Sequence, residues 1–209
     1  MKLELTPVRL RQCLEQHGIA FVFAPAWHPA FKVIGPIRRE LAAEGTPTIF
    51  NLLGPLLNPA RPEHQLVGLF SAALLPKYAE ALRILGRRCA WAVHGDGTDE
   101  LALTGASDVC AVRDGVVASF KITPGEFGLA SCDPRALLGG ERAENARILL
   151  AILDGSERGP KRDMVLLNSA AALTVAGLAP DLSAGLGLAR KALDGGAAMG
   201  KLLALQAFR

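Results

Sequence analysis

The segment at residues 65–94, QLVGLFSAALLPKYAEALRILGRRCAWAVH, decides the fold class. Residues 65–70 and 89–94 are short apolar runs typical of buried strands. Between them, residues 74–85 have the apolar spacing of an amphipathic helix, which ends at Gly86. A strand, a helix and a second strand within about 30 residues predict a βαβ unit with parallel strands. We therefore expect an α/β protein whose ligands bind beyond the carboxyl ends of its strands.

The sequence that follows this unit predicts a hairpin and then helices. Asp114-Gly115, a dipeptide favoured in tight hairpin turns, stands between apolar runs at residues 109–113 and Val116–Ile122. Helices are expected at residues 142–153, 162–176, 182–193 and 197–207. No repeat or linker interrupts the chain, so one α/β domain is expected over residues 1–209. Its predicted core is a mostly parallel central sheet flanked by helices, with the β-hairpin attached.

The N-terminal quarter is less regular. Thr6-Pro7 predicts the start of a helix that runs to about Gln16. Residues 19–23 form an apolar run that is either a buried strand or the entry to a loop. Prolines at positions 25, 29 and 36 are expected to break the stretch that follows.

Composition excludes several classes of protein. The chain has 209 residues, 50% of them hydrophobic, and 23 basic against 20 acidic residues give a net charge of +3. That charge is too small to indicate nucleic-acid binding. The longest apolar stretch, residues 164–179, contains Asn168, Ser169 and Thr174, so we expect a buried helix there and no membrane span. Four cysteines without a C-x-x-C pair indicate reduced thiols in the cytoplasm, and no zinc site is expected.

The acidic pair Asp99-Glu100 is the first candidate site. It lies in the sequence HGDGTDEL at residues 94–101, directly after a predicted strand and a glycine-containing turn. Carboxylates at such a position suit Mg²⁺, which binds one or two carboxylates together with water and a phosphorylated substrate. A pair of solvated surface acids is the alternative on these residues alone.

A basic, aromatic segment is the second candidate. Arg38 or the adjacent Arg39 can clamp a carboxylate through two hydrogen bonds, and His28 beside Trp27 can line a pocket for an aromatic ligand. A surface helix is the plainer interpretation. Gly139-Gly140 precedes a predicted helix and either binds an anion or forms an ordinary loop. The glycine motifs of P-loop and dinucleotide-binding proteins do not occur in the sequence.

Together these segments resemble the anthranilate phosphoribosyltransferase family, in family order along essentially the whole chain. The matching stretches are FVFAPAWHPA (21–30), RREL (38–41), TIFNLLGPLLNP (48–59), QLVG (65–68), VHG (93–95) with DEL (99–101), GG (139–140) with ENA (144–146), and RD (162–163) with Asn168 and AA (170–171). The resemblance implies the α/β domain type of nucleoside phosphorylases and phosphoribosyltransferases. It also implies transfer of phosphoribosyl from phosphoribosyl pyrophosphate (PRPP) to anthranilate in tryptophan biosynthesis.

The resemblance also implies residue roles. Asp99 and Glu100 match the family's acidic pair that holds Mg²⁺. Arg38 matches the arginine that meets the anthranilate carboxylate, and His28 and Pro55 match residues lining the anthranilate tunnel. No residue is assigned a catalytic role, because the aromatic amine is already a nucleophile and positioning supplies most of the catalysis.

The sequence departs from the family in the motifs that hold PRPP. The family's G-T-G-G-D and K-H-G-N motifs and its serine-rich stretch, which hold PRPP, are not found here. We therefore expect activity only when an N-terminal segment or a second polypeptide supplies them, and a homo-oligomer remains compatible with the resemblance. Two alternatives stay open: a non-catalytic remnant or interaction subunit with the same fold, and a related nucleoside phosphorylase-type glycosyltransferase with another acceptor.

Overall fold

The computed structural model describes residues 4–46 and 48–208, except the side chains at positions 25, 29–32, 38 and 42. The chain divides into two compact units, one formed by Met1–Arg61 with Ala198–Arg209 and the other by Pro62–Ala197. The single domain expected over residues 1–209 stays a prediction. The helices are α1 (Pro7–His17), α2 (Ala24–Trp27), α3 (Pro29–Ala43), α4 (Phe50–Leu56), α5 (Leu75–Ile84), α6 (Arg142–Asp154), α7 (Pro160–Val175), α8 (Leu182–Asp194) and α9 (Ala197–Ala207).

The first unit contains α1 to α4 and almost all of α9. Helix α1 begins as predicted, with Pro7 in its first turn and the Thr6 hydroxyl accepting a hydrogen bond from the Arg9 N–H at 3.3 Å. The end of the chain packs against this helix. The Phe208 ring lies under the Arg9 guanidinium at 4.3 Å and meets the His17 ring edge-on.

Two expectations for this unit are decided by the structure. Residues 19–23 form no strand, and Ile19 and Phe21 are exposed, so the loop alternative is the correct one. Pro36 does not break the chain but lies inside α3. Its fixed φ angle is compatible with a helix, and the helix loses the hydrogen bond that a proline nitrogen cannot donate.

The second unit contains a four-stranded sheet in the order β1-β2-β3-β4. The strands are β1 (His64–Gly68), β2 (Cys89–Gly95), β3 (Ser107–Arg113) and β4 (Val116–Ile122). Strands β1 and β2 are parallel, as the βαβ prediction requires, with His64 opposite Cys89 and Gly68 opposite Val93. The hairpin is also confirmed, because Asp114 and Gly115 both adopt the positive φ angles, 48° and 83°, of its favoured turn type.

The prediction of a mostly parallel sheet is wrong for these strands, although the α/β class is confirmed. One pairing is parallel and two, β2 with β3 and β3 with β4, are antiparallel. The reason is the connection after β2. Residues 96–106 contain no helix, and a parallel return needs a crossover of a dozen or more residues, usually helical.

Helices cover the sheet and form the core. Helix α5 packs on β2, β3 and β4, α7 packs on β1 and β2, and α8 packs on α7. Helix α5 contributes Leu75, Tyr78 and Leu82 to the core, while the middle of α7 contributes Leu166 and Leu167. Within the described residues, no helix is long and apolar enough to cross a membrane.

Candidate functional site

The carboxyl ends of the parallel strands β1 and β2 meet at one edge of the sheet. The two ends are tied together, because the His94 Nδ1–H donates a hydrogen bond to the carbonyl of Leu69 at 2.7 Å. The chain then leaves β2 through Asp96 and Gly97, which have positive φ angles of 38° and 86°. This edge is where ligands bind in sheets of this type.

A tight turn brings the acidic pair back towards the strands. The N–H groups and carbonyls of Gly95 and Thr98 pair with each other at 3.0 and 2.7 Å, so the chain reverses within four residues. The reversal lays the backbone of Asp99 directly on Gly68, where an added Cβ would lie 1.4 Å from the Asp99 carbonyl oxygen. A glycine at the end of β1 is therefore what lets the acidic pair approach the sheet.

The residues that follow the acidic pair are its anchor. Leu101, Ala102 and Leu103 are almost completely buried, whereas Asp99 and Glu100 are exposed. The backbone N–H of Ala102 donates a hydrogen bond to the buried Ser107 hydroxyl at 2.9 Å. The loop thus has a fixed, apolar inner side and an acidic outer side.

The acidic pair lines a cavity of about 380 Å³. The other lining residues are Thr98, Leu137, Gly139, Asn145, Ile148, Lys161 and Met164. Lys161 donates a hydrogen bond to the Ala136 carbonyl at 2.6 Å, and Asn145 pairs with both backbone groups of Gly140. Two carboxylates, an ammonium and an ordered glycine loop therefore share one cavity.

The electrostatics of the pair favour a cation. Partial burial of the Glu100 carboxyl, and then the neighbouring Asp99 charge, raise the pKa of Glu100. A bound cation would offset both effects. Carboxylate oxygens are the donors that Mg²⁺ prefers, and two of them leave positions for water and phosphate oxygens, so the residues present fit this ion. Within residues 4–46 and 48–208, His, Cys, Asp and Glu form no group of three or more arranged to hold a metal ion.

The residues predicted to bind anthranilate lie in the first unit, whereas the acidic pair lies in the second. His28 follows α2, and its N–H donates a hydrogen bond to the Ala24 carbonyl at 3.1 Å. Pro55 is an exposed residue inside α4. Arg38 is in α3, and its side chain lies outside the described residues.

Comparison with protein families identifies the chain. Residues 1–199 match the family described as "Glycosyl transferase family, a/b domain". The chain belongs to this glycosyl transferase family. The match covers the acidic pair, the cavity and most of the first unit. The resemblance inferred from the sequence motifs is confirmed by the relatives of the chain.

Those relatives are named anthranilate phosphoribosyltransferases. One from Bradyrhizobium sp. strain BTAi1 is 49% identical over 203 residues, which is 97% of this chain and 59% of the relative. One from Anaeromyxobacter sp. strain K is 48% identical over 198 residues, which is 95% of this chain and 58% of the relative. The chain thus spans about six-tenths of the length of the curated relatives that it matches.

Solved structures agree with the sequence relatives. The anthranilate phosphoribosyltransferase of Thermus thermophilus superimposes with a TM-score of 0.91 at 40% identity, covering 100% of this chain and 61% of that one. The Saccharomyces cerevisiae enzyme in complex with PRPP and Mg gives a TM-score of 0.86 at 26% identity, covering 96% and 57%.

Sequence reasoning missed three polar residues at this site. Lys161 and Asn145 line the cavity, and the Asn168 side chain bonds to the loop beside the acidic pair. Asn145 and Asn168 belong to stretches that match the family pattern, but no role was assigned to either residue, and Lys161 lies outside those stretches. For Asn168 the signal was present, because an amide within the apolar stretch 164–179 requires a hydrogen-bond partner when it is buried.

Proposed function

We propose that the complete enzyme transfers phosphoribosyl from PRPP to anthranilate, giving N-(5-phosphoribosyl)anthranilate and pyrophosphate in tryptophan biosynthesis. The amine nitrogen bonds to C1 of the ribose, the bond from C1 to the pyrophosphate oxygen breaks, and one amine proton is released. The observation that carries the proposal is the acidic pair, which is held at the strand ends in a cavity that also contains a lysine. The chain is also 49% identical to a relative named anthranilate phosphoribosyltransferase.

The acidic pair is proposed to hold Mg²⁺. Asp99 and Glu100 would supply two carboxylate ligands, while the turn at Gly95 and the approach at Gly68 fix where those carboxylates stand. When bound, Mg²⁺ neutralises charge on the pyrophosphate as it leaves. The Lys161 ammonium in the same cavity adds positive charge beside the pair, which favours a phosphate-bearing substrate there.

The anthranilate site is proposed in the first unit. Arg38 would pair with the anthranilate carboxylate, and His28 and Pro55 would line the passage for the aromatic ring. The support is the match of residues 21–30, 38–41 and 48–59 to the family pattern. A guanidinium suits this role because it binds a carboxylate through two parallel hydrogen bonds.

We also propose the context in which the chain works. The two units serve one α/β catalytic domain, and PRPP binding needs a further segment or polypeptide that corresponds to the rest of the relatives' length. A cytoplasmic location and a homo-oligomer are part of the same proposal. No nucleic-acid or membrane partner is expected, because the net charge is only +3 and the apolar stretches are short.

A chimaera tests the proposal. The chain is joined to the N-terminal remainder of the Bradyrhizobium relative, and loss of anthranilate fluorescence is followed in the presence of PRPP and Mg²⁺. Turnover is expected, and replacement of Asp99 by Asn together with Glu100 by Gln should lower it by orders of magnitude. Asp114→Asn is the matched control, because it makes the same acid-to-amide change at the hairpin turn, where asparagine tolerates the positive φ.

The outcomes separate the proposed function from its alternatives. No transfer by the chimaera, while the intact relative is active under the same conditions, would favour a non-catalytic remnant. Transfer to other acceptors in preference to anthranilate would favour a nucleoside phosphorylase-type enzyme. Activity of the double variant within twofold of the unchanged chimaera would show that the acidic pair does not hold the metal.

A further inference from the structure

Asn168 makes an unusual set of hydrogen bonds on α7. Its Oδ1 accepts from the backbone N–H of Leu101 at 2.9 Å, and its Nδ2 donates to the carbonyl of the same residue at 2.9 Å. Nδ2 also donates to the Met164 carbonyl one turn earlier, at 3.1 Å. One side chain thus satisfies both backbone groups of a residue 67 positions away, as a neighbouring strand would do.

The residue that Asn168 holds is directly bonded to the acidic pair. Leu101 follows Glu100 in the chain, and its own side chain is fully buried. The next N–H, that of Ala102, is held by the Ser107 hydroxyl. Two consecutive residues are therefore fixed by side chains from α7 and β3, and the acidic pair lies between them and the Gly95–Thr98 turn.

The chemistry of the amide explains why asparagine stands there. Pairing with an N–H and a carbonyl at once requires an acceptor and a donor in one plane, which a carboxamide provides. An aspartate would place a second acceptor oxygen against the carbonyl oxygens of Leu101 and Met164, to which it could donate no hydrogen bond. Alanine would leave the Leu101 N–H and carbonyl without this partner beneath the acidic pair.

We infer that Asn168 is a positioning residue that holds Asp99 and Glu100 in the arrangement that binds a divalent cation. The inference rests on the proposed metal role of the acidic pair. Groups that orient metal ligands from behind commonly change metal affinity by about 10- to 100-fold when removed, and a change of that size is expected here.

Mn²⁺ binding to the chain tests this inference. Free Mn²⁺ is followed by electron paramagnetic resonance during titration of the unchanged chain, Asn168→Ala and Asn168→Leu, the last of which keeps the side-chain volume. Thr174→Val is the matched control, because Thr174 is a buried polar residue of the same helix, and its hydroxyl donates hydrogen bonds to the carbonyls of Ala170 and Asp181. Exchange of the Leu101 amide hydrogen is measured on the same samples.

The expected result is a Mn²⁺ affinity at least tenfold weaker, and a faster-exchanging Leu101 amide, in the folded Asn168 variants, with neither change in Thr174→Val. Affinity within twofold of the unchanged chain in a folded Asn168 variant would overturn the inference and leave the proposed function intact. Loss of the fold in both Asn168 variants, seen by circular dichroism, would assign Asn168 to folding and would also overturn it. Failure of the unchanged chain to bind Mn²⁺, or equal binding after Asp99→Asn with Glu100→Gln, would overturn the inference together with the metal role proposed for the acidic pair, whereas the transfer reaction itself is decided by the chimaera assay.

Discussion

Replacing Gly68 by alanine should displace the acidic pair and abolish its response to Mg²⁺. The added Cβ would lie 1.4 Å from the Asp99 carbonyl oxygen, whereas such atoms approach no closer than 3.0 Å. The Asp99 backbone must therefore retreat by about 1.6 Å, which exceeds the roughly 0.2 Å within which metal–ligand distances are held. Overpacking of this kind costs about 1–3 kcal/mol of the free energy of unfolding.

Urea unfolding with and without Mg²⁺ measures both effects. At a Mg²⁺ concentration of about 100 times its dissociation constant, the free energy of unfolding of the unchanged chain should rise by about 2.7 kcal/mol. The free energy of unfolding of Gly68→Ala should hardly change when Mg²⁺ is added. Gly125→Ala is the control, because a Cβ there meets no atom within 4 Å, and it should keep the full Mg²⁺ gain. A gain in Gly68→Ala equal to that of the unchanged chain would refute the placement of the metal beside Asp99.

Three further predictions concern pH, substrate binding and the hairpin. Partial burial raises the pKa of Glu100 above 4.5, so the folded chain binds more protons than the unfolded chain as pH rises from 4.5 through the raised pKa. The free energy of unfolding therefore falls across that interval, and the loss is complete above it. Glu100→Gln should raise the Tm at pH 7 but not below pH 4, and parallel plots of Tm against pH for the two proteins would contradict this. In the chimaera, Arg38→Ala should raise the KM for anthranilate about tenfold or more with little change in kcat, because it removes the proposed partner of the substrate carboxylate. An unchanged KM, or an equal rise in KM in the neighbouring Arg39→Ala variant, would show that Arg38 does not bind the carboxylate. Gly115→Val should lower the free energy of unfolding in urea by about 1–2 kcal/mol, because the φ of Gly115 is 83°, which a β-branched residue adopts only under strain. Gly115→Asn should lower it less, and equal losses in the two variants would exclude backbone strain as the cause.

Local patterns in the sequence were enough to place most elements of the second unit. The hairpin at Asp114-Gly115 and helices α6 to α9 lie within two residues of their predicted bounds, because turn residues, caps and apolar periodicity are local properties. The direction of β3 was not predicted. It depends on a helix-free connection at residues 96–106, whose conformation is fixed by partners distant in the sequence, including Asn168.

The candidate site was predictable to the same extent. The acidic pair follows a strand and a turn, so its place at the sheet edge could be inferred from neighbouring residues. Its surroundings could not. Lys161 and Asn145 reach the cavity from α7 and α6, about 45 to 60 positions further along the chain, and only the packing of these helices brings them beside Glu100.

Anomalous X-ray diffraction from crystals of this chain grown with Mn²⁺ would test the central claim most directly, because it locates the ion itself. One strong anomalous peak is expected, at about 2.1 Å from carboxylate oxygens of both Asp99 and Glu100. A strong peak at another site, or none between these side chains at a Mn²⁺ concentration that stabilises the protein in solution, would contradict it.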